Sequence, residues 1–123
     1  DMVMIKDNHI DFAGGIKPAI EKTVAYLRTH QLNIPIEVEA RNLDDVKEII
    51  NIGQIQRILL DNFNIENTVK AVEIIQQRYE IESSGGITLE NVRQYALCGV
   101  DFISIGALTH HVKSLDLSLK AKF

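Results

Sequence analysis

The sequence predicts an α/β protein in which repeating βα units form part of a (β/α) barrel, with parallel strands covered by outer helices. Three observations predict it: five short apolar runs, helical patterns between the runs, and a repeat of about 22 residues. The runs are "MVMI" (2–5), "IPIEV" (34–38), "RILL" (57–60), "EIES" (80–83) and "DFISI" (101–105). Strands that alternate with helix-length connections pair in parallel and have helices on their faces.

The first helix is predicted over 16–29, between the first two strands. Ile20, Val24 and Leu27 recur at helical spacing and form one apolar stripe. Pro18 lies near the start of this helix, where its missing N–H costs no hydrogen bond.

The other three helices are predicted from their N-caps, because Asn and Thr side chains accept hydrogen bonds from the first free N–H groups of a helix. The caps are Asn42 for helix 43–51, Asn64 for the helix that carries Val69 and Val72, and Thr88 for the helix that carries Leu89, Val92 and Ala96. Asp44 and Asp45 support the first of these, since the helix dipole favours acidic residues in the first turn. The predicted order is βαβαβαβαβ, and the last stretch, 114–123, alternates like a strand or a tail.

The spacing of the strand ends favours a barrel over an open sheet. The residues that end the five strands are Lys6, Glu39, Asp61, Ser84 and Gly106, with separations of 33, 22, 23 and 22 residues. A unit of about 22 residues is short for a doubly wound sheet but suits a (β/α) barrel.

Side chains along each strand alternate between two faces. One predicted face is aliphatic and consists of Val3, Ile5, Ile36, Val38, Ile58, Leu60, Ile103 and Ile105. The other becomes polar toward the carboxyl ends of the strands and consists of Met2, Met4, Lys6, Glu37, Glu39, Arg57, Leu59, Asp61, Phe102, Ser104 and Gly106. Helices are expected on the first face and a functional site at the carboxyl ends, where α/β enzymes build their sites.

Composition limits the class of protein. With 123 residues, of which 46% are hydrophobic, the chain can form one globular domain. Its net charge of -4, without a Lys/Arg cluster, argues against a nucleic-acid partner. No signal segment or membrane-length apolar run is found, so we expect a cytoplasmic protein without a membrane partner. Asp1 directly precedes a strand, and the chain is therefore expected to be part of a longer protein.

The carboxyl ends of the strands bring together groups that could bind a phosphorylated compound. Taken singly, Lys6, Glu39 and Asp61 could be ordinary turn or surface residues, but their equivalent positions on successive units favour a shared site. The turns "SSGG" (83–86) and "SIGAL" (104–108) follow the last two strands, and glycine leaves backbone N–H groups open to a phosphate. Dinucleotide and Walker patterns are not found in the sequence, which makes a dinucleotide the less favoured ligand.

Carboxylates beside a phosphate would repel it unless a divalent cation lies between them. Mg²⁺ is predicted, because it accepts one or two carboxylates and takes its remaining ligands from water and phosphate. A zinc site is not predicted, since the histidines are too scattered to form one: His9, His30, His110 and His111.

Five ordered motifs resemble those of one enzyme family. "VMIKDNHI", "IEVEARNLDDV", "ILLDNF", "ESSGGITLENV" and "FISIGALTHHVKSLDLSLK" resemble the C-terminal half of quinolinate phosphoribosyltransferase, the carboxylating nicotinate-nucleotide pyrophosphorylase. The resemblance implies an incomplete α/β barrel in which 1–123 is the C-terminal part, without the N-terminal domain and the first barrel strands. It also implies transfer of phosphoribose from phosphoribosyl pyrophosphate to quinolinate, with loss of CO₂, to give nicotinate mononucleotide for NAD synthesis.

The resemblance also implies roles for single residues. Lys6, Glu39 and Asp61 would be catalytic and would bind substrate, with Glu39 and Asp61 beside the ribose and holding Mg²⁺ directly or through water. The residues expected around the sugar 5-phosphate are Ser84, Gly85, Gly86, Gly106, Ala107 and His110. An arginine- and histidine-rich cluster for quinolinate would come from upstream and from a partner subunit, which implies a homodimer or higher oligomer and an inactive isolated chain. The tail 114–123 would dock on the missing domain.

Two alternatives remain at this point. One is a relative of the same fold, such as nicotinate phosphoribosyltransferase or the pyrophosphorylase-like protein found with molybdate transport systems. The other is a non-catalytic phosphate-binding domain.

Overall fold

A computed structural model shows one six-stranded sheet with helices, and it describes residues 1–106 in full and the backbone of residues 117–120. The elements in chain order are β1 (Val3–Ile5), α1 (Asp7–Ala13), α2 (Ile16–Thr29), β2 (Ile36–Ala40), α3 (Leu43–Ile52), β3 (Arg57–Asp61), α4 (Ile65–Ile75), β4 (Glu80–Ser84), α5 (Val92–Ala96), β5 (Phe102–Ile105) and β6 (Leu117–Lys120). The strands are ordered β1 to β6, and β1 to β5 are parallel. The predicted α/β fold with parallel strands is confirmed.

The last strand differs from the other five. β6 pairs antiparallel with β5, with Ser104 opposite Ser118. Within the alternating pattern of 114–123, the structure shows a strand over residues 117–120. Docking of the tail on another domain stays a prediction.

One helix was not predicted from the sequence. α1 follows β1 directly and ends at Gly14, which has a left-handed backbone with φ of 97°. Seven residues are too few to show helical periodicity. The available signal is Asp7 in the first turn together with the glycine pair Gly14 and Gly15, since glycine commonly ends helices.

Two of the three predicted N-caps are confirmed. The side-chain oxygens of Asn42 and Asn64 each accept a hydrogen bond of 2.8 Å, from the backbone N–H groups of Asp45 and Asn67. The Thr88 cap is wrong, because α5 begins only at Val92 and its N-cap is Asn91.

The segment before α5 is a turn and not the start of the helix. The Thr88 N–H donates to the Asn91 side chain at 2.7 Å, and Asn91 N–H returns a bond to the Thr88 carbonyl. Leu89 was predicted to lie on this helix, but it precedes α5 and its side chain is 67% exposed, whereas Ala96 lies in α5 and is buried.

The aliphatic face of the sheet forms the core under the helices, as predicted. Val38, Ile58 and Leu60 are fully buried and join one hydrophobic cluster with residues of the surrounding helices. The opposite face of the sheet carries the polar side chains. The candidate site lies on that face, at the carboxyl ends of the strands.

Ile58→Ala should lower the free energy of unfolding of the full-length protein by about 2–5 kcal/mol, because it leaves a cavity in a closely packed core. Leu89→Ala is the matched control, since that side chain is mostly exposed, and should have little effect. Urea unfolding of both variants measures the difference. Equal losses for the two would contradict the assigned core.

Candidate functional site

The carboxyl ends of the parallel strands surround a polar pocket of about 400 Å³. Its lining includes the predicted residues Lys6, Glu39, Asp61, Ser84, Gly85, Gly86 and Gly106, together with Met4, Leu59, Glu82 and Ser104. Ala107 and His110 lie outside the described residues. The structure thus brings seven of the nine predicted site residues to one place, while their roles stay predictions.

A larger groove of about 670 Å³ lies at the opposite ends of the strands. Gln77, Arg78, Tyr79 and Asp101 are among the residues that line it, and none of the predicted site residues does. Size alone would favour this groove. We place the functional site at the carboxyl edge instead, because α/β sheets position chemical groups there.

Lys6 lies at the carboxyl edge of the sheet because it is the single residue between β1 and α1. It is the N-cap of α1 and its carbonyl accepts from Ile10 N–H at 3.0 Å. The next residue, Asp7, donates its backbone N–H to Glu39 Oε1 at 3.2 Å. The turn that carries the ammonium is therefore tied to the carboxylate on the neighbouring strand.

Glu39 lies near the end of β2 and is 8% exposed. Burial raises the pKa of Glu39 above its usual range, and the negative charge of Asp61 raises it further. The hydrogen bond from the Asp7 backbone N–H lowers it and so opposes both effects. The two carboxylates therefore crowd negative charge into one pocket.

This arrangement fits Mg²⁺. In the part of the chain that the structure describes, no cluster of three or more His, Cys, Asp or Glu side chains could hold a metal by itself. Glu39 and Asp61 instead offer a two-carboxylate set, which suits an ion that keeps water and phosphate as its other ligands.

The glycine turn after β4 packs against the loop after β3. Gly85 and Gly86 have φ values of 87° and 68°, and a Cβ on Gly85 would lie 3.0 Å from Asn62 N. Asn62 itself has φ of 60° and donates its N–H to the Ser84 carbonyl at 2.8 Å. The close approach of Asn62, which sequence reasoning did not identify, therefore explains why Gly85 is glycine.

A buried hydrogen bond from α5 also holds the loop that follows β3. Tyr95 on α5 donates its hydroxyl to the Phe63 carbonyl at 2.8 Å. The loop between β3 and α4 is therefore held by two hydrogen bonds, one to Ser84 and one from Tyr95. Both help to fix the position of Asp61, which directly precedes the loop.

Sequence reasoning also missed a charged network beneath the pocket. The Arg57 guanidinium lies 3.2 Å from Glu80 and 3.4 Å from Glu82, and it stacks on the Phe102 ring at 3.7 Å. Ser104 donates its hydroxyl to Glu82 Oε2 at 2.6 Å. The alternation of the strands placed Arg57, Phe102 and Ser104 on one face, and an arginine among apolar strand residues was the signal of a buried charge cluster.

Glu37 is the most buried member of this network, at 2% exposure. Burial, followed by the hydrogen bond to Glu82 and the charge of Glu82, raises the pKa of Glu37 to about 8, while Arg57 opposes the shift. Glu37 Oε2 finds no hydrogen-bond donor among the described residues, and a retained proton lets this carboxyl donate to Glu82. The burial of this carboxyl and its raised pKa both favour a Glu37 that keeps its proton at neutral pH.

Raising the pH from about 5 to 8 should lower the free energy of unfolding more in the wild type than in Glu37→Gln. The folded state keeps the Glu37 proton that the unfolded chain loses near pH 4.5. The stabilisation that this proton contributes is therefore complete below pH 4.5 and is lost as the pH rises to about 8. One such proton contributes up to about 1.4 kcal/mol per pH unit in that window. Urea titrations at several pH values measure the slopes. Glu73→Gln, at an exposed carboxyl on α4 outside this network, should keep the wild-type slope. Equal slopes for all three proteins would contradict the assignment.

Comparison with known proteins places the chain in a family. Residues 1–120 match the family model "Quinolinate phosphoribosyl transferase, C-terminal domain". The chain is 46% identical to the Arabidopsis thaliana protein named nicotinate-nucleotide pyrophosphorylase (carboxylating), chloroplastic, over 98% of this chain and 38% of that protein. It is 42% identical to quinolinate phosphoribosyltransferase (decarboxylating) 2b, mitochondrial, of Nicotiana tabacum, with the same coverage. The chain thus spans about two fifths of these relatives' length.

A solved structure supports the same placement. The nicotinate-nucleotide pyrophosphorylase of Francisella tularensis superposes with a TM-score of 0.77 at 39% identity, over 99% of this chain and 42% of that one. Among the described residues, no helix is long and apolar enough to cross a membrane. Because the match extends over nearly the whole sequence and the folds agree, the chain belongs to the quinolinate phosphoribosyltransferase family, and its residues 1–120 match that family's C-terminal domain.

Proposed function

We propose that the protein transfers phosphoribose from phosphoribosyl pyrophosphate to quinolinate, releasing pyrophosphate and CO₂ and forming nicotinate mononucleotide in NAD synthesis. Family membership supports this reaction. The observation that carries it is the pocket in which Lys6, Glu39 and Asp61 face the Gly85–Gly86 turn. An ammonium, two carboxylates and open backbone N–H groups are what a phosphorylated sugar requires.

The glycine turn is the proposed binding site of the sugar 5-phosphate. Gly85 and Gly86 present backbone without a side chain, as anion sites require, and Ser84 adds a hydroxyl beside them. The Lys6 ammonium offsets the negative charge of the donor. Gly106, Ala107 and His110 complete this proposed site.

Glu39 and Asp61 are proposed to act on the ribose. As the anomeric C–O bond breaks, positive charge develops on the sugar, and two carboxylates fixed nearby stabilise it more in the transition state than in the ground state. The same carboxylates would hold Mg²⁺, directly or through water. When bound, Mg²⁺ would neutralise charge on the departing pyrophosphate.

The ring chemistry needs little from this chain. Once the pyridine nitrogen has bonded to ribose, the cationic ring accepts the electron pair left by the departing CO₂, and the ring carbon then takes a proton. The chain's contribution is to hold the ribose in place.

Quinolinate recognition is proposed to involve residues outside this chain. The relatives are more than twice as long, so an upstream domain and further barrel strands have room to supply the arginine and histidine groups. We propose a homodimer or higher oligomer, because a partner subunit would supply part of this quinolinate-binding cluster. The cytoplasmic location also stays a proposal, because two plant relatives carry chloroplastic and mitochondrial in their names.

The test is product formation by the full-length protein with quinolinate, phosphoribosyl pyrophosphate and Mg²⁺. Chromatography should detect nicotinate mononucleotide, and a chelator should remove the activity. Nicotinate in place of quinolinate should give no product. No turnover with quinolinate would contradict the proposal, and turnover with nicotinate alone would favour a nicotinate phosphoribosyltransferase.

A further inference from the structure

The pocket contains a third carboxylate, Glu82, to which the proposed function gives no role. Glu82 lies on β4, two residues before Ser84, and is 8% exposed. In the sheet, Leu59 pairs with Glu39 on one side and with Glu82 on the other. Glu39 and Glu82 therefore lie at the same depth of the pocket, on either side of Leu59.

The Glu82 carboxylate is held in one orientation. Its Oε2 accepts the Ser104 hydroxyl at 2.6 Å, a length typical of a hydrogen bond to a charged oxygen. Its Oε1 lies 3.4 Å from the Arg57 guanidinium. Arg57 in turn pairs with Glu80 and lies over the Phe102 ring, and these contacts hold the guanidinium in place.

A fixed, buried charge differs from a flexible one in what it can do during a reaction. It needs no reorientation when charge develops nearby, and the low dielectric around it strengthens the interaction. A carboxylate bonded to protein donors on both oxygens is also poorly suited to bind a metal or a hydroxyl group directly. Such a carboxylate is better suited to act by its charge than as a ligand.

We propose that Glu82 is a third charge-stabilising carboxylate of the transfer reaction, lying at the floor of the pocket and oriented by Ser104 and Arg57. This inference rests on the proposed function, since it requires a reaction in which positive charge develops on the bound sugar. Ser104 and Arg57 are positioning residues that act through Glu82.

Glu82→Gln tests the charge, because it keeps the side-chain shape and its oxygen can still accept from Ser104. In the full-length protein, kcat should fall about ten- to a hundredfold, while the KM for phosphoribosyl pyrophosphate changes less than about threefold. The matched control is Glu73→Gln. It makes the same change of charge at an exposed position on α4, away from the pocket and from Arg57, so kcat should stay within about twofold of the wild type.

The outcomes separate the alternatives. A wild-type kcat in folded Glu82→Gln, or equal falls in both variants with lower melting temperatures, would overturn the role of Glu82 while leaving the proposed function intact. No turnover by the wild type would instead contradict the proposed function.

If circular dichroism shows that Glu82→Gln does not fold, a second variant tests the role of Glu82. Ser104→Ala keeps the Glu82 charge but removes its 2.6 Å hydrogen bond. A several-fold fall in kcat at constant donor KM would support the proposal, and an unchanged kcat would overturn it.

Discussion

Gly85→Ala should weaken binding of phosphoribosyl pyrophosphate at least about tenfold and destabilise the full-length protein by about 1–3 kcal/mol. The new Cβ would lie 3.0 Å from Asn62 N and 3.2 Å from Asn62 Cα, and both atoms belong to backbone that cannot rotate away. The φ of 87° adds the strain of a left-handed conformation for a residue with a side chain. The loops after β3 and β4 must therefore separate, which moves the glycine turn and Asp61 together.

Gly14→Ala is the control for this prediction. Its φ of 97° imposes similar strain, but nothing lies within 4 Å of the new Cβ. It should lower stability without changing donor affinity. Isothermal titration with the donor and Mg²⁺ measures both variants, and equal affinities for Gly85→Ala and Gly14→Ala would contradict the close-packed rim.

Asp61→Asn should lower kcat by about a hundred- to a thousandfold while changing the donor KM much less. The amide keeps the shape of the carboxylate but removes the charge that we place beside the developing positive sugar. Glu39→Gln should act in the same direction, because Glu39 lies in the same pocket and interacts electrostatically with Asp61. Steady-state kinetics with the donor as the varied substrate separates the two parameters.

Asp44→Asn makes the same change of net charge at an exposed position in the first turn of α3. Its kcat should match that of the wild type. If Asp61→Asn instead raised KM at an unchanged kcat, Asp61 would contribute only to binding and its assigned role would be wrong.

The convergence of Lys6, Glu39 and Asp61 could be predicted from the sequence because it follows from topology. Parallel strands bring their carboxyl ends to one edge, so counting residues to the end of each strand is enough to place these side chains together. The alternation of buried Val38 and Ile58 with polar neighbours likewise assigned the two faces of the sheet. These features depend on local spacing, which a sequence contains.

The features that could not be predicted depend on contacts between distant residues. The reason for Gly85 is the backbone of Asn62, and the pKa of Glu37 depends on Glu82 and Arg57, all on other strands or loops. The prediction of short elements was wrong for a different reason. α1 is too brief for periodicity, and Thr88 resembles a cap although the turn it starts precedes the helix.

The most direct test of the account is a structure of the full-length protein with Mg²⁺ and a non-hydrolysable methylene analogue of phosphoribosyl pyrophosphate. We expect the 5-phosphate on the backbone of the Gly85–Gly86 turn and the ribose beside Glu39 and Asp61. An analogue bound in the groove at the opposite ends of the strands, beside Arg78 and Tyr79, would contradict it.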